Sequence, residues 1–133
     1  LPDRLSSSPY LQEYYGVISW SVRSIYTGYL GWFDGNPTQL FPLAPKEEAA
    51  RLINLIGSKE AVFDSARQAL EEGQAQWACQ LVDHLLALEP TSREFRSLKA
   101  AALRRLADQQ MSSNARNYYL SSAKELEGSS TTR

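Results

Sequence analysis

Wherever the apolar residues of this chain are regularly spaced, they recur every three or four positions, and glycine or proline cuts the pattern into single-helix lengths. No segment keeps a period-two alternation, so the spacing predicts an all-α fold. After Pro45, the acids Glu47 and Glu48 stand where a helix N-terminus favours negative charge. Ala49, Leu52, Ile53 and Ile56 then give a short amphipathic helix that Gly57 ends. Ser58 is placed to cap a helix running to about Glu72, with Val62, Ala66, Ala69 and Leu70 inward and Gly73 as its stop. The next runs from Gln74 to Leu88 with Trp77, Ala78, Leu81, Val82 and Leu85 on one face, until Pro90 breaks it. Thr91 and Glu94 fit a capping box ahead of a helix bearing Phe95, Leu98, Ala102 and Leu106. A last helix, about Ser113 to Glu127, shows Ala115, Tyr119, Ala123 and Leu126, with Gly128 behind it.

The N-terminal third is less regular. Ser8 and Pro9 read as an N-cap and first helical residue, after which Leu11, Tyr15, Ile18, Val22, Ile25, Tyr26 and Tyr29 keep a helical period. Gly16 and Gly28 each weaken that helix by roughly 1 kcal/mol relative to alanine, and a bend or break is expected near Gly16. Residues 34–45 form a loop, because three prolines in nine residues bar a helix or a central strand. Its Leu40, Phe41 and Leu43 predict that it lies against a surface.

An internal spacing suggests helix hairpins. Ala66 sits seven residues before Gly73, Ala78 five after it and Pro90 seventeen after it, and Ala100 follows Ala66 at an interval of thirty-four. Small residues at the contact, a glycine at the hairpin and a proline at the exit resemble one tetratricopeptide repeat, followed by a degenerate one without glycine near Gln109 and Gln110. The predicted architecture is a helical bundle with tetratricopeptide-like antiparallel hairpins.

Composition narrows the function classes. Fourteen basic against fifteen acidic residues leave a net charge of −1 over 133 residues, which is no footprint for nucleic acid or an anionic membrane. Arg93, Arg96, Lys99, Arg104 and Arg105 share one helix, but acids interrupt them and no aromatics interleave. Cys79 is the only cysteine and reads as a small core residue, and His84 is the only histidine and reads as buried or half-buried. Zinc takes three or four His, Cys or carboxylate ligands, so no metal site of the chain's own is expected. No signal peptide and no membrane-spanning run is present, and the compartment is left open. The start without methionine and the linker-like close from Gly128 to Arg133 read as a piece of something longer.

Residues 20–37, WSVRSIYTGYLGWFDGNP, set five aromatics among three glycines and end in a hard turn. This stretch resembles the alkylsulfatases of the metallo-β-lactamase superfamily, whose corresponding segment is Ile-Tyr-x-x-Tyr-Leu-Gly-aromatic-aromatic-Asp-Gly-Asn-Pro. Here it reads Ile25-Tyr26, Tyr29-Leu30-Gly31-Trp32-Phe33 and Asp34-Gly35-Asn36-Pro37. Further landmarks follow in order: Leu40-Phe41-Pro42-Leu43-Ala44-Pro45, the Ala66, Gly73, Trp77-Ala78 hairpin, His84-Leu85, Arg116-Asn117-Tyr118-Tyr119-Leu120, and Ala123 with Glu125-Leu126.

The resemblance implies a helical dimerisation domain over residues 1–128, with 129–133 a linker or tail. It implies a preceding hydrolase domain holding two zinc ions, a following lipid-carrier-like domain, a homodimer, and a parent reaction that hydrolyses a sulfate ester to an alcohol and sulfate. By the same resemblance Trp20, Tyr29 and Trp32 line the substrate cleft, Asp34, Gly35, Asn36 and Pro37 form the motif loop, and Arg116 and Asn117 anchor the last helix to the loop. Some members carry histidine at the position of Trp20 and tyrosine at that of Trp32. An indole N–H donates a hydrogen bond but cannot act as a general acid near neutral pH, so no catalytic residue is expected in the chain.

Plainer readings stand beside these. Tyr26 and Phe33 at helical spacing read as core, and Asp34 and Asn36 as turn formers bonding their own backbone. A tetratricopeptide-like adaptor with no link to catalysis is the alternative function. A free-standing enzyme lacks a triad, a metal set or a phosphate loop.

Overall fold

The structure is a computed structural model describing residues 2–128, so the 129–133 tail lies outside the described residues. Among the described residues there are seven α-helices and no strand. They are α1 (Asp3–Ser6), α2 (Ile18–Leu30), α3 (Pro45–Ile56), α4 (Lys59–Glu71), α5 (Ala75–Leu88), α6 (Arg93–Asp108) and α7 (Ser113–Gly128), with a 3-10 turn at Pro37–Gln39. The fold is all-α, as the periodicity requires.

Helices α3 to α7 form a bundle in which neighbours in sequence pack on one another: α4 on α5, α5 on α6, α6 on α7, and α3 against α4 and α5. Two adjoining cores hold it. One gathers Ile53, Val62, Ala66, Val82, Leu85 and Phe95, and the other Ala78, Cys79, Ala100, Ala102, Leu106 and Ala123. Alanines carry much of the contact, because a methyl lets backbones approach closely. Ala66, Ala78, Ala100 and Ala102 are all buried, three of them at the positions the repeat spacing marks.

The turns follow from local chemistry. Ser58 Oγ accepts from the Ala61 N–H at 3.1 Å and caps α4. At its far end Gly73 takes φ +82°, its N–H donates to the Leu70 carbonyl at 3.1 Å, and the Gln74 N–H donates to the Ala69 carbonyl at 2.8 Å. That pair of bonds satisfies the last carbonyls of α4 and turns the chain into α5, which a residue with a Cβ adopts only under strain. The basic residues of α6 serve the bundle. Arg96 donates to the Leu126 and Glu125 carbonyls at 2.9 and 3.1 Å, Lys99 pairs with Asp83, and Arg104 pairs with Glu127 at 2.5 Å.

Several expectations are corrected. The N-terminal helix does not start at Ser8 and Pro9, because residues 7–17 are irregular and α2 begins only at Ile18. A continuous helix would need the Tyr14 and Tyr15 carbonyls for the amides four residues on. Those carbonyls bond instead to Ser113 and Ser112, and the Ile18 N–H goes to the Glu13 carboxylate. The cap of α6 is Ser92, not Thr91: Thr91 lies inside a turn closed by the Ser92 N–H on the Glu89 carbonyl, and Ser92 Oγ accepts from the Phe95 N–H. Trp77 and Ile56, expected inward, are half or more exposed. Gly128 is the last residue of α7 and does not lie behind it.

Candidate self-association surface

The largest departure from the expected packing is the first third of the chain. No residue from Pro2 to Glu48 is buried, and α2 makes no close backbone approach to another helix among the described residues. Tyr26 and Phe33, read as core from their spacing, are exposed, and Leu40, Phe41 and Leu43 of the loop lie uncovered. Periodicity reports that a face must be buried, without saying by what. Here nothing among the described residues buries it.

The backbone of this arm is nonetheless well specified. An elbow precedes α2: Gln12 Nε2 donates to the Ser6 and Ser8 carbonyls at 2.7 and 2.9 Å, Tyr14 Oη donates to the Pro9 carbonyl at 3.0 Å, and Glu13 Oε1 accepts from the Ile18 N–H at 2.6 Å. Gly31, at φ +78°, ends α2 with its N–H on the Thr27 carbonyl at 2.8 Å. Asp34 Oδ1 accepts from the Asn36 N–H at 2.9 Å, and Asn36 Oδ1 accepts from the Thr38 N–H at 3.2 Å, capping the 3-10 turn that Pro37 opens. The motif loop thus bonds its own backbone, which leaves its aromatic neighbours pointing outward.

The residues singled out from the sequence fall into separate places. Tyr29 and Trp32 are 86% and 71% exposed, and Trp32 stacks edge-on against Phe33 at 5.8 Å. Trp32 and Asp34 border a shallow cleft with Gln39, Leu40 and Pro42. Trp20 stands apart from them, its ring edge-on to Tyr118 of α7 at 6.1 Å and 74°. Arg116 faces Asp108 at 3.8 Å, across the α6–α7 turn, and Asn117 is exposed.

The tie between arm and bundle runs through two residues that the sequence reading passed over. Ser112 Oγ donates to the Tyr15 carbonyl at 2.7 Å, and the Ser113 N–H donates to the Tyr14 carbonyl at 2.8 Å. Ser112 is the buried polar residue of this junction, and its Oγ also accepts from the Ala115 N–H at 3.4 Å as α7 begins. A serine just before a helical pattern is the signal that could have found it.

Reactive groups are sparse. Cys79 is buried, and burial pushes its thiol up to about 11, with the Lys99 ammonium opposing and the Asp83 carboxylate adding to the shift. His84 is half-buried on α5. Among the described residues no group of three His, Cys, Asp or Glu side chains could hold a metal ion. No helix is long and apolar enough to cross a membrane. What the arrangement offers is apolar and aromatic surface on a fixed backbone, with indole and phenol donors.

A family model described as alkyl sulfatase dimerisation matches residues 1–129. The chain belongs to the alkyl sulfatase dimerisation family. It is 46% identical over 129 residues to a linear primary-alkylsulfatase of a Pseudomonas species, covering 96% of this chain and 24% of that protein. An (R)-specific secondary-alkylsulfatase of Pseudomonas is 38% identical over 126 residues, covering 95% of this chain and 19% of that one. Among solved structures, the stereoselective inverting sec-alkylsulfatase Pisa1 from Pseudomonas superposes with a TM-score of 0.88 at 38% identity, over 96% of this chain and 20% of Pisa1. The chain therefore spans about a fifth to a quarter of the length of these alkylsulfatases.

Proposed function

We propose that this chain is the self-association and cleft-covering module of a zinc-dependent alkylsulfatase, whose parent protein hydrolyses alkyl sulfate esters to an alcohol and sulfate. The observation that carries the reading is the aromatic arm, fixed in its backbone by its own hydrogen bonds yet without a buried residue from Pro2 to Glu48. A membership that names dimerisation supports a second copy as its cover, with a two-fold axis as the default symmetry. Large aromatics bury about 150–250 Å² each, so about five from each of two copies reach the order of 2,000 Å² typical of obligate interfaces.

Metal chemistry, on this reading, belongs to a hydrolase domain outside the chain, with a lipid-carrier-like domain also outside it. The segment from Tyr29 to Pro37 narrows the cleft and offers apolar contact to an alkyl chain. Trp20 and Trp32 orient by stacking and by their indole N–H, and they donate no proton to the leaving group.

Tyr29 and Phe41 test the reading, because they are 86% and 94% exposed and their loss removes little from the monomer. Tyr29→Asp with Phe41→Asp is expected to leave the melting temperature of the bundle unchanged below the dimer dissociation constant while weakening the dimer at least about tenfold, as loss of buried aromatic anchors does. Unchanged association of the double variant in sedimentation would count against the arm as the interface.

One observation favours the adaptor reading. An open groove between α4 and α6 is lined by Phe63, Leu98 and Ala101 together with Arg67, Arg93 and Glu94. Binding of a peptide with a free carboxylate there, in a monomeric chain, would support it. The uncovered arm has no place in that scheme.

A further inference from the structure

We propose that Ser112 and Ser113 form a pin that sets the direction in which the arm leaves the bundle, and that a second copy is captured only when this pin is closed. The inference rests on the reading of the arm as the self-association surface. The arm reaches the bundle at few points. Its elbow carbonyls, Tyr14 and Tyr15, accept from the Ser113 N–H and the Ser112 hydroxyl, and two residues beyond the start of α2 the Trp20 ring meets Tyr118.

Ser112 is 3% exposed and its bond to the Tyr15 carbonyl is part-buried, so water competes for it less than at the open surface. The same oxygen accepts from the Ala115 N–H, so one buried side chain begins α7 and holds the elbow at once. Beyond the elbow, Glu13 locks the first free amide of α2, and past the Trp20–Tyr118 contact the helix continues to Leu30 with no buried residue. A small rotation at the pin is therefore magnified along α2 into a large displacement of Tyr29, Trp32 and the motif loop. Ser112 and Ser113 are positioning residues, acting on a partner they do not touch.

Two substitutions separate this role from ordinary support of α7. Proline is favoured at the first position of a helix, where the N–H has no helical partner, so Ser113→Pro keeps α7 and deletes only the donor to Tyr14. Ser112→Asp keeps an acceptor for the Ala115 N–H but has no proton to give the Tyr15 carbonyl. In the 133-residue chain, each is expected to weaken the dimer at least about tenfold in sedimentation equilibrium with helical content at the wild-type value. Below the dimer dissociation constant Ser113→Pro melts as wild type, while the buried carboxylate of Ser112→Asp lowers its melting temperature. Ser112→Thr, which retains donor and acceptor, is expected to restore wild-type association. Wild-type affinity in both Ser113→Pro and Ser112→Asp, with wild type a dimer, would overturn the pin. A wild-type monomer whose Ser113 amide is still protected from hydrogen exchange would overturn the self-association reading instead and support the pin's geometry.

Discussion

Cys79 shows how far a single residue's chemistry follows from its place in the fold. It sits where α5 meets the second core, and burial lifts its thiol to about 11 despite the nearby Lys99. The thiolate is the reactive form, so alkylation by iodoacetamide at pH 8 is expected to run about a hundredfold slower in the native chain than in the unfolded one. The shift also fixes a sign. The folded value lies above the thiol's ordinary value of about 9, so the thiol's contribution to stability is full below about 9 and is lost as pH rises toward about 11. Between pH 8 and pH 10.5, the urea midpoint of wild type should fall further than that of Cys79→Ala, and parallel declines would contradict the assignment. This residue was legible from the sequence as a small core position. Ser112 was not, because a serine before a helix announces only a cap. Its second bond, to Tyr15 ninety-seven residues away in the chain, has no local signature.

Among elements, legibility followed burial. Helices α3 to α7 were readable in type and order, since each presents an apolar stripe to its neighbours and carries glycine, serine or proline at its ends. Where two cap-competent residues stood together, as with Thr91 and Ser92, the turn from Glu89 decided the boundary, and no pattern in the sequence shows that turn. Helix α2 differs in kind. Its residues keep a helical period, yet isolated helices shorter than about 12–15 residues are marginal in water, and α2 has thirteen residues and buries none of them. The proposed partner then has a measurable effect on it. Amides of α2 should exchange hydrogen rapidly in dilute chain and become protected as concentration rises through the dimer dissociation constant, while α5 and α6 stay protected throughout. Protection of α2 independent of concentration would show that the chain alone stabilises it.

At the scale of the whole molecule, a bundle with two adjoining cores carries an arm with none. The sequence pattern gave the arm the same apolar spacing as the bundle, so burial within one chain was the natural expectation for Tyr26, Phe33 and the loop around Phe41. The structure exposes them, and the family to which the chain belongs is named for dimerisation. Both facts point the arm outward. The cleft roles proposed for Trp20, Tyr29 and Trp32 concern a partner domain beyond this chain. Self-association concerns the chain itself and is the claim most directly open to measurement. Sedimentation equilibrium of the wild-type chain across the micromolar range should return twice the 14.9 kDa chain mass, with dissociation only on dilution. A single species of 14.9 kDa at the highest concentration, with the arm unprotected, would contradict it.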